Sequence, residues 1–149
     1  GYCGGATLIN NACTDRQQGV LANMSSGLGS EGTATVKGNT FTRSGVVLDP
    51  HIPMVLENNT FRHNRTAAIF NGSTLPGGEM WAPGRAVNNV LVRNRGTGIS
   101  SELPGLIVGR NTARYNRGYG IYAPGAVDLG GNKARGNKLG QCVGVVCSK

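Results

Sequence analysis

One repeated stretch constrains this chain more than any other feature. Asn111-Thr-Ala-Arg-Tyr-Asn-Arg-Gly-Tyr-Gly-Ile-Tyr122 recurs, degraded but in register, as Asn59-Thr-Phe-Arg-His-Asn-Arg-Thr-Ala-Ala-Ile-Phe70 and Asn89-Val-Leu-Val-Arg-Asn-Arg-Gly-Thr-Gly-Ile-Ser100. In each copy a second Asn follows the first by five residues, an Arg by six and an Ile by ten. Taking the first Asn as the register mark gives Asn11, Asn39, Asn59, Asn89, Asn111 and Asn132, spaced by 28, 20, 30, 22 and 21 residues. The position five later reads Arg16, Ser44, Asn64, Asn94, Asn116 and Asn137.

A period near 22 residues with short strands and Gly-rich corners predicts a solenoid. Two residues after each mark stand Cys13, Phe41, Phe61, Leu91, Ala113 and Ala134, all able to face a core. Short strands are expected at Val20-Leu21, Val46 to Leu48, Ala68 to Phe70, Gly98 to Ser100, Gly120 to Tyr122 and Val143 to Val146. No single coil can bury its apolar face, but stacked coils can, each strand pairing in parallel with its equivalents. Asn suits the corners, because it tolerates left-handed backbone and its amide can bond its equivalent in the next coil. Two insertions stretch the period: Ala22 to Thr33, and Asn71 to Arg85 with the sole Trp, Trp81. The Pro104-Gly105 and Pro124-Gly125 corners match each other.

At 149 residues, with 25 Gly, this reads as one all-β domain of about six coils. Residues 1–18 hold the N-terminal cap and first coil, and 132–149 the closing coil. No run of 18 apolar residues occurs, so no membrane insertion is expected. The start at Gly1 suggests a processed or trimmed chain. Four Asn-X-Ser/Thr sequons occur, at Asn23, Asn58, Asn64 and Asn71, two of them products of the repeat itself, and they read as incidental unless the source is eukaryotic.

The repeat resembles that of the right-handed parallel β-helix proteins, the superfamily that includes pectate lyases and other polysaccharide-acting enzymes. The end of the chain, Gly131 to Cys147, is similar to the closing coil of secreted actinobacterial members. The resemblance implies a right-handed solenoid and a carbohydrate connection. It does not select an activity, since lyases, hydrolases, epimerases and non-catalytic proteins share the fold.

Six coils at strand spacing span roughly 25–30 Å. A disulfide needs Cα atoms within about 7 Å. If the solenoid is right, the four cysteines pair at its two ends, Cys3 with Cys13 and Cys142 with Cys147. Disulfides imply an oxidising, secreted or cell-surface setting. Those positions do not cluster for a four-Cys zinc site, and the two His argue against a zinc or copper centre. No cofactor fingerprint or catalytic Ser elbow is present.

The formal net charge is +8, which favours anionic partners and also serves solubility. Six residues after the marks come Arg65, Arg95, Arg117 and Lys138. In a solenoid they stack at about 5 Å, as a solvated corner or as a track for a polyanion along the axis. Polyuronates carry carboxylates at comparable intervals. Arg62, Arg114 and Arg135 form a second partial column. The absence of an aromatic-plus-basic motif disfavours nucleic acid.

Asp49-Pro50-His51 resembles the Asp-Pro-His signature of mannuronan C5-epimerases, themselves right-handed β-helices. That resemblance implies His51 as acid or base at C5 of a uronate and Asp49 as its orienting or substrate-binding partner. The family's Tyr position is Val46 here, and no companion motif follows. Both insertions are expected to leave the coil at the same corner as this triplet and could wall a cleft, with Trp81 as a sugar platform and Arg85 beside it. The sequence therefore points to binding or processing of an acidic polysaccharide, by uronate elimination or epimerisation if catalytic. Its rival is a non-catalytic secreted or surface module. The polymer and the oligomeric state stay open.

Overall fold

The computed structural model describes residues 7–14, 21–24, 33–44, 47–50, 53–70 and 84–149, with 21–24 and 47–50 described by their backbone. The first coil comprises β1 (Thr7–Ile9), β2 (Ala12–Thr14) and β3 (Leu21–Met24), and the second β4 (Ala34–Lys37), β5 (Thr40–Thr42) and β6 (Val47–Pro50). The third holds β7 (Met54–Glu57), β8 (Thr60–Arg62) and β9 (Ala68–Phe70); the fourth β10 (Gly84–Val87), β11 (Val90–Val92) and β12 (Ile99–Ser101). The fifth holds β13 (Ile107–Gly109), β14 (Thr112–Arg114) and β15 (Tyr119–Tyr122); the sixth β16 (Val127–Gly130), β17 (Asn132–Arg135) and β18 (Gly140–Val143). β19 (Cys147–Ser148) closes the end.

Every pairing among them is parallel and joins equivalent strands of successive coils. One flank is the sheet β1-β4-β7-β10-β13-β16, and the second is β2-β5-β8-β11-β14-β17-β19. The third is β9-β12-β15-β18, with the pair β3-β6 stacked beside β9. The period-2 alternation of each strand sends one column of side chains inward. On the second flank the buried column is Cys13, Phe41, Phe61, Leu91, Ala113 and Ala134, as the repeat predicts. Phe41 stacks on Phe61 with ring centroids 4.9 Å apart. On the first flank the inward column is Leu8, Val36, Leu56, Ala86 and Val108.

The marks form a buried ladder. Asn39 Nδ2 donates to Asn59 Oδ1 in the next coil at 3.1 Å and to the Leu8 carbonyl in the previous coil at 2.8 Å, while its N–H donates to the same Oδ1 at 2.9 Å. The same three bonds recur at Asn59, Asn89 and Asn111. A second ladder runs Ser44, Asn64, Asn94, Asn116, Asn137. It ends on Gln141, whose Oε1 accepts from Asn137 Nδ2 at 3.0 Å. Each amide thus satisfies backbone groups that a buried corner would otherwise orphan.

Four expectations need correction. The ladder Asn residues are not the left-handed ones; the residue before each is. Asn10, Asn58, Asn88 and Arg110 precede the first ladder, and Arg43, His63, Arg93 and Tyr115 the second, all at φ between 48° and 57°. The ladder amide reaches both neighbouring coils from the residue just past the bend. Second, Ile69 is not the equivalent of Ile99. Ile99 pairs with Ala68, and Ser100 with Ile69. Coil three has one residue fewer after its ladder Asn, and a one-residue slip turns Ile69 outward while Phe70 is buried. Third, the last strand of the third flank is Gly140–Val143, not Val143 to Val146. Gly144 turns the chain at φ 80°, where an added Cβ would lie 2.0 Å from the Ala123 carbonyl oxygen. Fourth, β3 extends through Met24 and β6 through Pro50, so strand replaces the expected start of the first insertion, and Asp49-Pro50 lies within a strand rather than after it.

Cys142 and Cys147 are bonded, with Cα atoms 6.2 Å apart. Cys13 is also disulfide-bonded, and its expected partner Cys3 lies outside the described residues. The Pro104-Gly105 and Pro124-Gly125 corners stack, Gly105 N–H donating to the Gly125 carbonyl at 2.9 Å. The sequon at Asn64 is buried within the second ladder.

Candidate functional site

The corner between the second and third flanks repeats one local pattern. Arg62-His63-Asn64-Arg65, Val92-Arg93-Asn94-Arg95, Arg114-Tyr115-Asn116-Arg117 and Arg135-Gly136-Asn137-Lys138 occupy it in successive coils, with Thr42-Arg43-Ser44 before them. The third residue of each turns inward to the ladder, and the cations around it are exposed. Backbone bonds fix the stacking. Arg95, Arg117 and Lys138 N–H groups donate to the carbonyls of Asn64, Asn94 and Asn116 at 2.8–2.9 Å. The left-handed residues are tied likewise, Arg93 N–H to the Arg114 carbonyl at 3.0 Å and Tyr115 N–H to the Arg135 carbonyl at 3.0 Å.

The structure therefore brings Arg65, Arg95, Arg117 and Lys138 into one row at strand spacing, about 4.8 Å per coil. Arg62, Arg114 and Arg135 share a second row, interrupted by Val92. Arg43 and Arg93 lie between the rows and were not singled out by the repeat analysis. Their signal is the position four after each mark, which also holds Asp15, His63, Tyr115 and Gly136. In all, Arg43, Arg62, Arg65, Arg93, Arg95, Arg114, Arg117, Arg135 and Lys138 line this edge, out of 15 Lys and Arg in the chain. No Asp or Glu occurs in any of the five corner segments. Neighbouring cations at this spacing repel by about 1 kcal/mol per pair in water, less once they splay. A bound anion removes that repulsion.

The other corner is an internal control. Its left-handed positions hold Asn10, Gly38, Asn58, Asn88, Arg110 and Gly131, mostly residues that tolerate the conformation. The cationic corner puts Arg43, His63, Arg93, Tyr115 and Gly136 there. Left-handed backbone costs a side chain such as Arg or Tyr roughly 1–2 kcal/mol. Arg43, Arg93 and Tyr115 thus occupy the bend against their backbone preference.

Tyr115 is itself part of the ridge. Its Oη accepts from Arg135 at 2.8 Å, and the guanidinium carbon stands 5.8 Å from the ring centroid. Arg85 is elsewhere, on the outer face of the first flank, where Glu57 pairs with both Arg85 and Lys37, the latter at 3.8 Å. Asp49 lies on β6 opposite Asn23. His51 and Trp81 are outside the described residues. Among the described residues no group of three or more His, Cys, Asp or Glu could hold a metal ion, and no helix is long and apolar enough to cross a membrane.

The model of the family described as "right handed beta helix region" matches residues 1–139. No curated protein and no solved structure matches the chain.

Proposed function

The chain belongs to the right-handed β-helix family, and from that premise we propose that it is an extracellular module that binds an acidic polysaccharide along its cationic corner. The observation that carries this reading is the row of exposed cations stacked from the second coil to the sixth on a backbone fixed by ladder bonds, with no Asp or Glu in those described corner segments. A rigid row of charges suits an extended polymer laid along the solenoid axis, because the protein loses little backbone entropy on binding. The intervals of polyuronate carboxylates are comparable to the coil spacing of about 4.8 Å. The left-handed Arg43, Arg93 and Tyr115 support the same surface. The Cys142–Cys147 disulfide and the bonded Cys13 support an oxidising compartment.

Titration calorimetry with polygalacturonate and with its fully methyl-esterified form tests the proposal. Binding of the acid and not of the ester is the expected result. Equal binding of both, or of neither, contradicts it. Catalysis at His51 and Asp49 rests on the Asp49-Pro50-His51 triplet alone. Proton NMR of polymannuronate and polygalacturonate incubated with the protein tests it. Guluronate or unsaturated-end signals that vanish in His51→Ala would convert the binding module into an enzyme.

A further inference from the structure

The tyrosines extend the ridge reading, on which this inference rests. Every tyrosine among the described residues, Tyr115, Tyr119 and Tyr122, belongs to the fifth coil, whereas Phe41, Phe61 and Phe70 are core. Tyr115 stands two residues before the ridge cation Arg117 and Tyr119 two after it. Both lean onto the sixth coil over glycines. A Cβ on Gly136 would come within 2.6 Å of the Tyr115 ring, and one on Gly140 within 2.8 Å of the Tyr119 ring. Glycine at those two places is what lets the rings lie against the next coil. Tyr119 and Tyr122 then pair on the third flank, with centroids 5.3 Å apart and planes at 41°.

We propose that this pair is a saccharide subsite: the Tyr119 and Tyr122 rings take the C–H face of one uronate ring while Arg117 and Lys138 take its carboxylate. Binding a bare polyanion needs no aromatic surface, so the rings beside the charge row select for a ligand with an apolar face. Tyrosine suits this role, offering a large amphipathic surface with only two side-chain torsions to fix. The pair is too close to sandwich a ligand, which needs roughly 7 Å, two carbon–carbon contact distances, so the ligand lies on an outer ring face. A nucleic-acid base can stack there as well, and titration with an oligonucleotide separates the two. The subsite also gives the ridge a polarity, with its anchoring end at the fifth and sixth coils.

The test compares hexagalacturonate, inorganic polyphosphate of similar charge and a single-stranded thymidine hexanucleotide, titrated into wild type and two double variants. Tyr119→Leu with Tyr122→Leu should lose roughly tenfold in affinity for hexagalacturonate, with polyphosphate affinity unchanged. Tyr119→Phe with Tyr122→Phe keeps the rings and should bind the sugar within about twofold of wild type. In wild type, the ring proton resonances of both tyrosines should shift with hexagalacturonate and not with polyphosphate, a readout that does not depend on the variants folding. Sugar affinity indifferent to the leucines, unshifted ring resonances, or tighter binding of the oligonucleotide each overturn the subsite while leaving the ridge standing. Failure of wild type to bind any of the three removes the ridge reading and the subsite with it.

Discussion

Asp128 is the register partner of Val108, so the inward column of the first flank ends in a carboxylate. That carboxylate closes the first Asn ladder. Its Oδ1 accepts from Asn132 Nδ2 at 3.0 Å and from Gly130 N–H at 2.8 Å, and its Oδ2 accepts from Val146 N–H at 2.8 Å. One side chain thus ends a core column, terminates a ladder and fastens the closing segment. A solenoid needs such polar ends to avoid stacking on its own copies. Asp128 is exposed, as are two of its three bonds, so Asp128→Ala should cost only about 1 kcal/mol, read as a lowered thermal midpoint. Asp128→Leu should in addition promote self-association in sedimentation velocity, because Val127 and Leu129 are already exposed beside it.

Asn94 is bonded to both neighbouring coils. Its Nδ2 donates to the Phe61 carbonyl at 3.2 Å and to Asn116 Oδ1 at 3.0 Å, and its Oδ1 accepts from Asn64 N–H at 3.0 Å. Asn94→Ala leaves three buried polar groups without this partner. We expect a loss of about 3 kcal/mol or more in denaturant unfolding. Ser44→Ala, at the start of the same ladder, should cost only about 1 kcal/mol, since it removes hydroxyl bonds of 3.2–3.3 Å.

Arg93 stands at φ 54° on the ridge. Arg93→Gly relieves left-handed strain of roughly 1–2 kcal/mol against a backbone-entropy cost of roughly 0.5–1. The variant should be as stable as wild type or slightly more so, and should bind polygalacturonate more weakly. Lower stability together with unchanged binding would argue that Arg93 is there for the fold.

The Cys142–Cys147 bridge closes a loop with a sequence separation of 5. Chain-entropy estimates give about 2 kcal/mol for so short a loop. Cys142→Ser with Cys147→Ser should lower stability by about that amount and speed amide exchange at the β17–β19 edge, with little change at the β8–β11 pairing.

The coil number, the core column from Cys13 to Ala134 and both ladders were legible because the Asn marks recur at a near-constant period. The left-handed positions were assigned one residue late because Asn10-Asn11, Asn58-Asn59 and Asn88-Asn89 put Asn at both the bend and the ladder. The bends at Gly38, Arg110 and Gly131 in the first corner, and at Arg43, His63, Arg93 and Tyr115 in the second, separate the two roles. Ile69 misled for a different reason. One residue missing from a turn preserves the letters of the repeat but reverses which face each side chain takes. The row of Arg65, Arg95, Arg117 and Lys138 was visible as a spacing. The contact of Tyr115 with Arg135, 20 residues apart, carries no local pattern and needed the stacked coils to be seen.

The central claim is that the corner ridge, not net charge alone, holds the polyanion. The most direct measurement is polygalacturonate affinity at low and moderate salt for two charge-matched variants. Arg95→Ser with Arg117→Ser removes two ridge cations, and Arg110→Ser with Lys149→Ser removes two cations from outside it. We expect the ridge variant to bind at least about tenfold more weakly and with a shallower salt dependence, and the control to stay close to wild type. Equal weakening in both variants would mean that the charge acts as a diffuse field, and the ridge would not be the binding site.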